Sequence, residues 1–355
     1  MFSKKTLVLP WVLPRVIVRA AVLFFAVITT CEAFEIEELR VFGPADATHQ
    51  LKVISTADTE LFAPLIEHFI ANSAETAVEY IAVSSTSLMQ AIYQDKEPFD
   101  IAISSAMDLQ TKLANDGYTR AHISEISRQV PGWAKWRNHV FAFTQEPAAI
   151  VYSPEALAGL PVPQTRQQLI TLLRNHPQKF QRRVGTYDVR TSGLGYLFAT
   201  HDARSSDIYW RLSEVMGSLN VRLYCCSGAM IEDIISGELA IAYNVLGSYA
   251  EARKKQGAEI EIIEPDDFTT VMLRSALIPA NAQSPSLAGL FIDHLISASW
   301  LNSNADYYPF PEISKDPASS GTAHRPIRLG PGLLVYLDKL KRKRFMQEWV
   351  SSMIQ

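Results

Sequence analysis

The run Arg190-Thr191-Ser192-Gly193 sets a guanidinium, two hydroxyls and a glycine where an apolar strand pattern, Val184 to Tyr187, gives way to the helical pattern GLGYLFATH. The first N–H groups of a helix have no partner within it and carry partial positive charge. A guanidinium, two hydroxyls and such amides can therefore meet around one anion. A capping turn with Arg190 paired to Asp188 would use the same residues. Three earlier clusters repeat the arrangement without the cation: Thr56-Ala57-Asp58, Ser84-Ser85 and Ser104-Ser105, each at the end of a strand-like run and ahead of a helical one. Serine is an ordinary helix cap, so one cluster says little and the coincidence of three says more. Tyr243-Asn244, a polar turn in the later half of the chain, completes the set as the far wall of the same crevice.

Catalytic patterns are missing. There is no G-x-S-x-G, H-E-x-x-H, P-loop or G-x-G-x-x-G motif. The eight histidines are scattered without ligand spacing, so no metal and no cofactor is expected. Asp58, Asp108 and Asp188 belong near the crevice, but capping helices and binding backbone N–H groups is sufficient work for them. Binding without turnover is the simpler account. The adjacent Cys225 and Cys226 read as two buried or half-buried thiols, with a strained vicinal disulfide as the alternative.

The elements that would position these clusters alternate regularly. LKVIS, AVEYIAVSS and FDIAIS are each followed by a small polar turn and an amphipathic helix, the first with Leu61, Leu65, Ile66 and Phe69 on one face. Successive strand–turn–helix units predict a parallel sheet covered by helices, with its ligand crevice at the carboxyl ends of the strands. VFAFTQEPAAIVYSPEAL and IEIIEPDDFTTVMLRSALIP are long extended segments that read as two crossings between domains. The expected organisation is therefore α/β: residues 34–145 and 271–355 in one lobe, 146–270 in the other, and the cleft between them. A strand ending at Ala242 leads to the Tyr243-Asn244 turn, and the basic KLKRKRF reads as the solvated face of a terminal helix with Leu337, Leu340 and Phe345 turned inward.

Composition agrees with a folded, exported chain. Its 355 residues are 48% apolar and 20% charged, enough for two ordinary domains. Lys4, Lys5, Arg15 and Arg19 precede AAVLFFAVITT, and Cys31 and Ala33 are placed as small residues before a cleavage point, with Phe34 as the first mature residue. A cleaved signal peptide over residues 1–33 is the first reading; a lipid attached at Cys31 and an uncleaved anchor are the others. Losing four Lys/Arg and Glu32 takes the formal charge from −4 to −7, which is no nucleic-acid footprint.

At VISTADTELFAPLIEHF, FDIAISSAMDLQTKLANDGY, FAFTQEPAAIVYSPE, RVGTYDVRTSGLGYLF and GELAIAYNVLGSYA the chain resembles the type 2 periplasmic solute-binding proteins of ABC transporters, in the branch of the ferric-iron binders. The tail PIRLGPGLLVYLDKLKRKRFMQEW also resembles the regulatory binding proteins of phosphoglycerate and hexose-phosphate uptake. The resemblance implies two α/β lobes joined by two hinge strands that close over a solute in the periplasm. It also implies a partner, either an ABC permease or a histidine kinase ectodomain, and a protein that acts as a monomer outside the membrane. The iron binders use adjacent tyrosines where this chain has Tyr243 followed by Asn244; the pair Tyr307-Tyr308 lies in another segment. What the resemblance implies here is a small anionic solute, phosphorylated, phosphonate or carboxylate, bound by the clusters named above.

Overall fold

Three parallel strands carry the first clusters. A computed structural model describes residues 34–73, 75–302, 304–314 and 323–355; the segment read as a signal peptide lies outside them. His49–Ser55 pairs in parallel with Thr76–Ala82 on one side and Ile101–Ser104 on the other. Val53, Ile54, Val78, Ile101 and Ala102 are fully buried, as expected of parallel strands with both faces covered. The helices Thr59–Ala71 and Met107–Asn115 follow the outer two of the expected turns. Between them Ser85–Met89 runs on into a wider-turned segment, Gln90–Gln94. Glu38–Phe42 edges this sheet antiparallel to Thr76–Ala82, and Ser275–Pro279 joins it antiparallel to Ile101–Ser104 and to Val140–Ala142.

A second sheet is built around Glu146–Tyr152 and Ile241–Leu246, which pair antiparallel. Val184–Tyr187 lies parallel to Ile241–Leu246 and to Arg222–Tyr224, and Thr269–Met272 pairs with Glu146–Tyr152. The chain thus passes from first sheet to second between Ala142 and Glu146, and returns between Met272 and Ser275. These are the two expected crossings.

The crossings are tied to each other. Phe143 N–H donates to the Arg274 carbonyl at 3.0 Å, and Arg274 N–H to Thr144 Oγ1 at 3.0 Å. Arg274 Nε and Nη2 bond the two oxygens of Glu146 at 3.0 and 3.2 Å, with both side chains 0% exposed. Thr144 and Ser248 hydroxyls also donate to that carboxylate. A fully desolvated ion pair of this kind demands good geometry and hydrogen bonds to the remaining lone pairs and protons; the carboxylate oxygens are filled, while Arg274 Nη1 has no hydrogen-bond partner among the described residues.

The terminal helix departs from the expected lobe assignment. Lys339–Met353 packs through Phe345, Trp349 and Met353 into the core of the second sheet, with Leu212 and Met216 of the helix Ile208–Ser218. Apolar residues spaced by four make one narrow stripe, and that stripe fits the second lobe. Leu340 stands off it and is 79% exposed, contrary to the inward position expected from sequence. Tyr307 and Tyr308 are packing residues: Tyr307 stacks on His68 with centroids 3.6 Å apart, and Tyr308 donates to the Phe143 carbonyl.

Candidate functional site

Between the lobes lies a cleft with a cavity of about 100 Å³. Its first-lobe wall holds Thr56, Asp58, Ser84, Ser85 and Ser105, and its second-lobe wall holds Thr191 and Ser192. Seven of the residues singled out by sequence therefore meet. Thr56 Oγ1 accepts from Ser105 N–H at 3.2 Å, which joins two strand ends. Ser84 caps its helix by accepting from Ser87 N–H at 3.0 Å, and Ser192 caps Gly193–Ser205 by accepting from Gly195 N–H at 3.1 Å.

The lobes touch across this cleft. Gly193 N–H donates to Ser85 Oγ at 2.8 Å, and Asp58 N–H donates to Tyr249 Oη at 3.2 Å. Gly193 is required at the first contact, because a Cβ there would lie 2.6 Å from Ser85 Oγ and 3.0 Å from Leu109 Cδ1. Residues 85 and 193 open helices of different lobes, so this bond reports directly on how closely the lobes approach.

Other expected site residues lie elsewhere. Ala57 is buried, its carbonyl accepting from Tyr80 Oη, and Ser104 is buried with its hydroxyl turned to Ala106 N–H. Arg190 folds back on Asp188, its Nε and Nη2 bonding the carboxylate at 2.8 and 2.6 Å. It borders a neighbouring pocket of about 440 Å³ that also carries Lys112, Arg342 and Gly193, and that shares Thr191 and Ser192 with the cleft. The alternative capping turn is thus the one formed.

Tyr243 and Asn244 are the clearest displacement. The strand does not stop at Ala242 but runs to Leu246, with a register shift between Ala242 and Val245 and Asn244 at φ 64°. That bulge turns both side chains into the second lobe. Tyr243 Oη accepts from Arg166 Nε at 2.6 Å and donates to Asp202 at 2.8 Å, while Asn244 donates to Asp202 at 3.0 Å. All four residues are buried. Extending the strand moves its cleft end to Leu246, and the side chain that reaches across is Tyr249.

Sequence reasoning passed over Glu37, Tyr187, Ser227 and Tyr249, and read Cys225 and Cys226 as buried or half-buried thiols; all six line the cleft, with both cysteines exposed. A signal existed. RLYCCSGAM is one more strand, small turn and helix, the same grammar that marked the first lobe. Tyr187 Oη and Ser227 Oγ are 2.6 Å apart, and Leu246 N–H donates to Ser227 Oγ at 3.0 Å.

The electrostatics of the cleft are unusual. Among the lining residues there is no Lys, Arg or His, yet the capping residues of five helices, Asp58, Ser84, Ser192, Cys226 and Leu246, all face it. Helix ends add partial positive charge there, and Arg274 and Arg253 act on Asp58 from behind the lining. Loss of water around the Asp58 carboxyl pushes its pKa up, more than Arg274 and the Tyr249 hydroxyl pull it down. Glu37 is raised by the same desolvation and then by Asp58. No group of three or more His, Cys, Asp or Glu placed to hold a metal occurs among the described residues.

Residues 51–300 match the family described as bacterial extracellular solute-binding protein. The substrate binding protein of an ABC transporter from Agrobacterium tumefaciens is 32% identical with a TM-score of 0.82, over 89% of this chain and 98% of that one. AfuA from Actinobacillus pleuropneumoniae, solved with exogenous fructose-6-phosphate bound, is 16% identical over 86% of this chain and 99% of its own, with a TM-score of 0.67. Iron-bound HitA from Pseudomonas aeruginosa is 14% identical over 85% and 99%, with a TM-score of 0.63. No curated protein matches the chain.

Proposed function

Because the chain belongs to the bacterial extracellular solute-binding proteins, we propose that it captures a small phosphorylated, phosphonate or carboxylate solute between its lobes in the periplasm and presents it to an ABC permease without chemical turnover. The observation that carries the solute class is the convergence of five helix starts and a ring of hydroxyls on one cleft. Helix N-termini and hydroxyl donors hold an oxyanion without a formal counter-charge. A cavity of about 100 Å³ suits a single oxyanion head group. Asp58 and Glu37 then accept hydroxyls of the solute, or the proton of a partly protonated head group. The adjoining pocket with Lys112, Arg190 and Arg342 gives the rest of the solute room to extend and raises the local anion concentration at the seam.

Closure is part of this mechanism. Ser85 and Gly193 meet only when the lobes come together, so a solute that touches both walls favours the closed arrangement by its differential affinity for it.

A ferric load is the second reading, favoured by the presence of Tyr187, Tyr249, Asp58 and Glu37 in one cleft, since hard cations take anionic oxygen donors. Burial pushes both phenols up, Tyr249 and Tyr187 alike, which opposes phenolate formation.

Thermal melting of the purified protein against fructose 6-phosphate, phosphoglycerate, inorganic phosphate, phosphonates, di- and tricarboxylates and ferric citrate tests the proposal, since a ligand of the native state raises the melting temperature. A rise with an oxyanion, reduced in the Gly193→Ala variant, is the expected result. A rise with ferric iron alone, with a phenolate-to-iron absorption band, would replace the anion by the metal. No rise across the panel would overturn solute capture in favour of a sensor that docks on a partner such as a histidine kinase ectodomain.

A further inference from the structure

Cys225 and Cys226 follow the strand Arg222–Tyr224, and Cys226 caps the helix Ser227–Ile235. Both are free and exposed, they face Asp58 and Glu37 of the opposite lobe across the cleft, and their sulfurs are 2.9 Å apart. We propose that this pair is a thiol–disulfide exchange site, closing reversibly to a vicinal disulfide in the cleft wall.

The chemistry follows from position and geometry. The hydrogen bond shared by the two sulfurs lowers the Cys225 thiol to about 7, so near neutral pH Cys225 is the nucleophile of the pair. Its thiolate attacks one sulfur of an incoming low-molecular-weight disulfide and expels the first thiolate. Cys226 gives up its proton and attacks the Cys225 sulfur, expelling the second. Two electrons pass from the cysteines to the incoming disulfide, whose two halves leave as thiols with the two protons. Adjacent residues have Cα atoms about 3.8 Å apart, against roughly 4.4–6.8 Å in ordinary disulfides. The ring is therefore strained, and strained disulfides are the readily reduced ones. A structural crosslink would be buried and relaxed; this pair is neither.

Exchange at these sulfurs does not depend on which solute the cleft takes. The test uses the full chain carrying Cys31→Ser, which leaves these two as its only cysteines. The protein is equilibrated with oxidised and reduced glutathione at several ratios, quenched in acid, alkylated and weighed intact. The expected product in oxidised glutathione has lost two hydrogens, takes up no alkylating group and carries no glutathione. Excess reduced glutathione returns it to a doubly alkylated form. Adding Cys226→Ser or Cys225→Ser should instead trap one glutathione per chain, since no second thiol resolves the adduct. A chain with both cysteines that ends as a lasting glutathione adduct, as a covalent dimer, or alkylated twice after oxidised glutathione would overturn the assignment.

Discussion

Replacing Arg274 by methionine removes the cation from the junction of the two crossings and leaves the Glu146 carboxylate fully buried. Breaking a buried pair from one side costs about 3–5 kcal/mol, because the remaining charge is uncompensated. Thr144 and Ser248 still donate to Glu146, and the methionine fills much of the lost volume against Tyr249 and Phe310, which flank the guanidinium at 5.9 and 5.6 Å. Both effects place the loss toward the lower end, about 3 kcal/mol, or a melting temperature lower by roughly 4 °C for a chain of this size. Circular dichroism melts of the wild type, Arg274→Met and the double variant Glu146→Leu/Arg274→Met measure it. The double variant should recover most of the stability, since an apolar pair of similar volume removes the stranded charge. A single variant that melts within about 2 °C of the wild type, or a double variant worse than the single, would refute the view that this pair ties the crossings together.

Other expectations concern the site and its surroundings. Burial pushes the Asp108 carboxyl up to about 7, against the pull of the Leu109 N–H and then Arg342 and Arg204, compared with roughly 3.9 in an unfolded chain. A raised carboxyl contributes stability that is complete below pH 4 and is lost as pH rises through 7, on the order of 4 kcal/mol; Asp108→Asn should flatten the fall of melting temperature between pH 4 and 8, and an unchanged slope would count against it. Tyr243→Phe should lower stability by about 2 kcal/mol through the lost bonds to Arg166 and Asp202, while titration calorimetry finds solute affinity unchanged. Arg190→Ala removes an exposed pair with Asp188 worth under about 1 kcal/mol and should change solute affinity by less than roughly fivefold; a hundredfold loss would restore Arg190 as the anion clamp.

Much of the architecture was legible in the residues themselves. Strand, small polar turn and helix repeated three times can be read because a strand buried on both faces is continuously apolar and its turn is not, and both crossings showed as overlong extended segments. The same local grammar located Thr56, Asp58, Ser84, Ser85, Ser105, Thr191 and Ser192, since a helix start at a strand's carboxyl end faces the crevice whatever lies opposite. Tertiary structure alone decided the rest. A bulge at Asn244 carried Tyr243 into a buried network and handed the cleft to Leu246 and Tyr249, which a strand of even alternation would not have done. Arg190 had two acceptable partners in sequence, an anion and Asp188, and the folded turn sets its guanidinium against the Asp188 carboxylate. Cys225 and Cys226 read as buried or half-buried thiols, cysteine being commonly buried; their exposure follows from a helix that begins at the lobe seam. Sequence determined which residues stand at strand ends, because that depends on neighbours along the chain, whereas which strand ends face each other across the cleft depends on two sheets meeting through Arg274 and Glu146, far apart in sequence.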